Sequence, residues 1–70
     1  METLGERLKR VRARAGMSQK RLAAASEVHR QTISDIECDR DPNPRRITLL
    51  RLARAMGVDV SELEATDEQE

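Results

Sequence analysis

Arg30, Gln31 and Asp35 are the residues whose types and spacing could do chemistry, and that chemistry is hydrogen bonding to bases rather than catalysis. An arginine can donate two bonds to guanine O6 and N7, a glutamine can pair with adenine N6 and N7, and a carboxylate can accept from cytosine N4. A good bidentate pair discriminates against the wrong base by about 1–3 kcal/mol. The methyl group of Thr32 can pack on a thymine methyl. Arg40, Arg45 and Arg46 flank a proline-containing loop and are the candidates for phosphate contacts, which position a protein without specifying sequence.

Bond-making chemistry has far less to work with. The chain has one histidine, His29, and one cysteine, Cys38, with no glycine-rich phosphate loop and no clustered carboxylates. A lone cysteine forms no internal disulfide, and a lone histidine has no partners for a zinc site. No cofactor and no metal are expected. An enzyme is the least favoured class, because a short helical domain offers little concave volume for a substrate.

Seventy residues make one domain, near the lower end of what folds unaided. Apolar residues are 37% of the chain and none is aromatic, so the core must be aliphatic. Charged residues are another 37%, which leaves no room for a membrane span. With no apolar stretch of signal-peptide type at the N-terminus, the expected location is cytoplasmic, at the nucleoid. The net charge of zero conceals an uneven distribution. Residues 61–70 hold five acids and no bases, which leaves thirteen Lys and Arg against eight Asp and Glu in residues 1–60. A basic body with an acidic tail suits a polyanionic partner. The expected organisation is a domain over 1–64 and an acidic, disordered tail over 65–70.

The elements that must position Arg30 and Gln31 are helices. Thr3 with Glu6 has capping-box spacing, and Leu4, Leu8, Val11 and Ala15 form one apolar stripe, so a first helix is expected over 4–15, with Gly16 as its left-handed stop. Arg7, Arg10 and Arg14 fall on one side of it, mostly towards solvent. Ser18 caps a second, short helix with Leu22, Ala23 and Ala25 turned inward. After a break at 26–29, Val28, Ile33 and Ile36 mark a third helix whose outward residues are Arg30, Gln31, Ser34 and Asp35. The prolines of the 38–44 loop forbid a continuous helix. Leu49, Leu52, Ala53 and Met56 define a fourth helix closed by Gly57, and Asp59 with Glu62 opens a last turn containing Leu63. The expected class is all-α, five short helices. The second and third, joined by a tight turn, have the geometry of a helix-turn-helix, in which the N-terminal end of the second member meets base edges.

The ordered set Ser18-Gln19, Leu22-Ala23, the run Thr32 to Glu37, and Leu52 to Val58 resembles the DNA-binding domain of lambdoid phage repressors and Cro proteins, the XRE-type regulator family. The resemblance extends from about Leu4 to Leu63. It implies a lambda-repressor-like domain that binds double-stranded DNA with sequence preference as a transcriptional regulator, a repressor by expectation. It assigns base contacts to Arg30, Gln31 and Asp35; Thr32 joins them on its chemistry alone, with the helix-two contact as the alternative for its side chain. Gln19 corresponds to a residue that bonds a phosphate and braces the recognition helix, and Ser18 and His29 lie beside the same phosphate path. Arg12 and Glu37 correspond to a salt bridge between the first helix and the end of the third. A homodimer on a pseudo-palindromic operator is implied, with Val60 and Leu63 near its interface. The chain departs from the pattern at Glu27 and Asp39, where the family usually has glycine, and at His29, where it prefers a Ser or Thr cap.

A second class of function competes with this one. The zero net charge, the acidic tail, and the acids Glu27 and Asp39 beside the expected DNA face would suit a helix-turn-helix fold used as a protein-interaction module. Such an antitoxin or accessory protein would bind DNA only weakly.

Overall fold

Thr3 starts the first helix as its spacing predicts. Its hydroxyl accepts from the Glu6 N–H and the Glu6 carboxylate accepts from the Thr3 N–H, both at 3.0 Å. A computed structural model of the protein describes residues 2–64, so the acidic segment 65–70 lies outside the described residues. Five helices follow one another: α1 (Leu4–Arg14), α2 (Gln19–Ser26), α3 (Arg30–Glu37), α4 (Arg46–Met56) and α5 (Ser61–Glu64). The described residues contain no strand. None of the helices is long and apolar enough to cross a membrane.

The apolar stripes meet in one aliphatic core. Leu8, Val11, Leu22, Ile33, Ile36, Leu52 and Leu63 are almost wholly enclosed, with Val28, Leu49, Ala53 and Met56 at their edges. Burying a side chain of this size stabilises the fold by about 1.5–3 kcal/mol. Helix α1 packs on α3 and α5, while α2 packs on α3 and α4, so α3 is held between two neighbours. Ala15 and Ala25, expected to face inward, are exposed. Ala15 lies past the last turn of α1, and Ala25 lies off the Leu22–Ser26 buried face of α2.

Two close approaches fix α1 in place. Gly5 is buried where a Cβ would sit 2.4 Å from the Ile36 carbonyl oxygen and 2.9 Å from that of Glu37. Only glycine lets the start of α1 meet the end of α3 at that distance. Arg7, expected in solvent with Arg10 and Arg14, is instead 9% exposed. Its guanidinium donates to the carbonyl oxygens of Leu63 at 2.9 Å and Glu2 at 3.3 Å, so its polar head is satisfied and its stem covers apolar surface. The neighbouring Arg10 bonds Glu2 through two nitrogens, at 2.8 and 3.1 Å. That hydrogen bond is the main reason the Glu2 carboxyl lies below its ordinary range.

The helix C-termini share one solution with two chemistries. Gly16 after α1 and Gly57 after α4 are left-handed, with φ 73°. Glu27 after α2 and Asp39 after α3 adopt the same region at φ 61°. Behind α3 the Arg40 N–H reaches back to the Asp35 carbonyl at 2.8 Å and the Asp39 N–H to that of Ile36 at 3.1 Å, the paired bonds that close a helix end.

Candidate nucleic-acid interface

Helix α3 is amphipathic. Ile33, Ile36 and Glu37 are buried, whereas Arg30 and Gln31 are exposed and Thr32, Ser34 and Asp35 are half-buried. The exposed set begins at the first residue of the helix, so Arg30 and Gln31 project from the end that follows the tight turn. A shallow groove lined by Gln19, Arg30, Gln31 and Ser34 joins this face to the start of α2. Among the described residues Arg30 has no ion-pair partner.

The turn that aims this face is built from Ser26 and Glu27. Ser26 is buried; its hydroxyl donates to the Leu22 carbonyl at 2.6 Å and accepts from the Val28 N–H at 3.3 Å. The hydroxyl therefore replaces bonds that the chain loses on leaving the helix. The left-handed Glu27 reverses the chain, and buried Val28 pins the turn to the core.

Behind the face lies a polar node. The Arg12 guanidinium donates to Glu37 at 2.7 and 3.1 Å and to the Met17 carbonyl at 2.8 Å. The Gln19 amide donates to the same carboxylate at 2.9 Å. The Glu37 side chain is 2% exposed and that of Arg12 17%. One carboxylate thus ties α1, α2 and α3 together, and its two oxygens receive three donors. A buried carboxylate without them would be strongly unfavourable.

The remaining expected site residues are distributed as follows. Ser18 caps α2, its hydroxyl accepting from the Arg21 N–H at 3.0 Å. His29 stands at the N-cap of α3, exposed and without a side-chain cap bond. Arg45 holds the N-cap position of α4 and is exposed. Arg40 and Arg46 are exposed but meet carboxylates of their own chain. Arg40 lies 3.5 Å from Asp35, and Arg46 bonds Glu64. Asp35 in addition accepts from the Gln31 amide at 2.9 Å.

One expected site residue is placed differently. Leu63, expected at a subunit interface, is fully buried within the chain and offers no surface to a second copy. Its backbone carbonyl also holds Arg7. Val60 remains partly exposed, beside Leu50, Ala53, Arg54, Val58 and Asp59 in a shallow groove.

Gly5, Arg7 and Ser26 hold the elements behind this face, and sequence reasoning does not single them out as site residues. For Ser26 a signal existed, a small polar residue at the end of a short helix before a turn; for Gly5 and Arg7 the partners lie far along the chain. The family model for the helix-turn-helix domain matches residues 3–66. No curated protein and no solved structure matches the chain.

Proposed function

The chain belongs to the helix-turn-helix domain family, and from that premise we propose that it is a sequence-specific double-stranded DNA-binding regulator of transcription, acting as a repressor. In this reading it is lambda-repressor-like, of XRE type, and lays α3 in the major groove. The observation that carries the reading is the exposed pair Arg30 and Gln31 on the first turn of α3, braced from behind by the Arg12–Glu37–Gln19 node. Arg30 takes a guanine, Gln31 an adenine, and Thr32 and Asp35 border the same edges. Ser18, Gln19, His29 and Arg45 line the phosphate path, joined by Arg46 once phosphates displace Glu64 and by Arg40, whose other guanidinium donors would reach a phosphate while one nitrogen stays beside Asp35.

Two copies would bind a pseudo-palindromic operator with half-sites about 34–36 Å apart. The apolar face of Leu50, Val58 and Val60, flanked by Arg54 and Asp59, is the surface for that pairing; it takes the place of Leu63. The protein would act in the cytoplasm, on the nucleoid, with no catalytic activity.

A specific observation favours the second reading, a protein-interaction module. Two of the expected phosphate-binding arginines, Arg40 and Arg46, are paired with the chain's own acids, which lowers the positive field that DNA would meet.

Selection of binding sites from random duplex DNA, followed by titration of the winner at two salt concentrations, separates the two. An inverted repeat with one-turn spacing, bound far more tightly than scrambled DNA, establishes the regulator. Absence of a motif, with binding that disappears as salt rises, establishes the interaction module.

A further inference from the structure

We propose that Asp35 determines specificity by acting through Gln31, fixing its amide so that one position of the operator is read as adenine. The inference rests on the DNA-binding reading above. Gln31 and Asp35 are four residues apart on α3, and the Gln31 Nε2 donates to Asp35 Oδ1 at 2.9 Å. A glutamine amide has two N–H donors and one carbonyl acceptor. With one N–H held by Asp35, one donor and one acceptor remain for a base. Adenine presents their complement in the major groove, an N7 acceptor and an N6 donor.

A glutamine without that restraint turns its terminal amide freely, since this torsion has no sharp staggered wells. It can then offer two N–H groups to guanine, whose N7 and O6 are both acceptors. Holding the amide removes that alternative. Asp35 is itself anchored. The Arg40 guanidinium lies 3.5 Å from the same Oδ1, and the Asp35 carbonyl accepts from the N–H groups of Arg40 at 2.8 Å and Asp41 at 3.2 Å. The Asp35 backbone is thereby fixed, and its carboxylate, flanked by Gln31 and Arg40, acts as a positioning residue for Gln31.

The test compares sites selected from random duplex DNA by the full chain and by Gln31→Ala, Asp35→Ala and Asp35→Asn. Affinities are then measured on duplexes carrying adenine or guanine at the position that Gln31→Ala erases. Thermal melts verify that each variant is folded. The unsubstituted chain is expected to prefer adenine there by roughly tenfold or more, and Asp35→Ala to reduce that preference to about threefold or less. Asp35→Asn keeps an acceptor for the Gln31 amide and is expected to retain most of the preference, a rescue that a role for charge alone would not give. If Asp35→Ala leaves the adenine preference undiminished, or relaxes a different base pair instead, the inference is overturned while the DNA-binding reading stands. If the unsubstituted chain selects no motif, the reading itself fails and takes the inference with it.

Discussion

The segment formed by α2 and α3 and the scaffold formed by α1 and α4 solve the same local problems with different residues. Helix α1 opens on a complete capping box, and α1 and α4 both end at glycines in the left-handed region. Helices α2 and α3 are eight residues each and end at left-handed acids; Ser18 caps α2, whereas α3, like α4, opens without a side-chain cap. Helices of eight residues do not persist alone in water. The α2–α3 segment is therefore ordered from behind, by Leu22, Ile33 and Ile36 in the core and by the carboxylate of Glu37. The difference lies in length and C-termini: glycines close the two longer helices, while tertiary contacts hold the short α3 and leave Arg30 and Gln31 exposed.

The strongest way to break that arrangement is to remove its central carboxylate. Glu37→Ala leaves Arg12 and Gln19 without their shared acceptor, and is expected to cost about 3 kcal/mol, measured by urea unfolding. Affinity for selected DNA should fall with it, because α3 loses its brace. A loss within the range of an ordinary surface substitution would show that apolar packing alone orders α3. Gly5→Ala attacks the same junction from the scaffold side. Its Cβ would stand 2.4 Å from a backbone carbonyl oxygen of α3, and backbone yields less readily than a flexible side chain. Destabilisation of about 2 kcal/mol is expected, and a melt unchanged from the parent would refute the close approach.

The left-handed helix ends sharpen the comparison with substitutions of opposite sign. Glu27→Gly relieves a β-carbon in a region that costs non-glycine residues about 1–2 kcal/mol, partly offset by the greater freedom of glycine in the unfolded chain. A net gain of about 0.5–1 kcal/mol is expected from denaturant melts. Asp39→Gly should gain less, because short polar side chains tolerate this conformation. Gly57→Ala, whose Cβ meets nothing within 4 Å, tests the conformation without a clash and should lose about 1 kcal/mol. Gains at the C-termini of both α2 and α3 with a loss in the scaffold are the pattern expected; losses at all three positions would sink the strain argument.

The parts of this design that were legible in sequence are those in which partners lie within one or two helical turns. Thr3 and Glu6 are three residues apart, as are Ser18 and Arg21, and the stripes of α1, α3 and α4 repeat on a helical period. The outer face of α3 followed by subtraction, once Ile33 and Ile36 were turned inward. What escaped has partners distant along the chain: Arg7 with Leu63, 56 residues apart, Gly5 with the end of α3, and Arg46 with Glu64. No periodicity encodes those meetings. Leu63 was misplaced because α5 has only four residues, too few to show which way its one large apolar side chain points. The Arg12–Glu37 pair came from the family resemblance rather than from spacing, since the two residues are 25 apart.

The smallest effect belongs to the scaffold's outer edge, where Glu2 meets Arg10 at 2.8 Å. The chemistry is that of the Glu37 node, a carboxylate chelated by a guanidinium, but here Arg10 is 45% exposed and Glu2 33% exposed. The Arg10 hydrogen bond, opposed by desolvation and aided by the charges of Arg10 and Arg7, holds the Glu2 carboxyl below its ordinary value of 4.5. A carboxyl depressed in the folded state contributes stability above the unfolded value, and that contribution is lost as pH falls through the folded one. Glu2→Gln should therefore melt slightly below the parent at neutral pH. The gap should hold at neutral pH and close only as the pH falls below the ordinary value of 4.5 and through the lowered folded one. Added salt should narrow it at neutral pH, since exposed pairs are screened. A gap that persists unchanged in acid would mean that Glu2 acts through packing rather than charge, and would remove the contrast between the scaffold's solvated pair and the enclosed node behind α3.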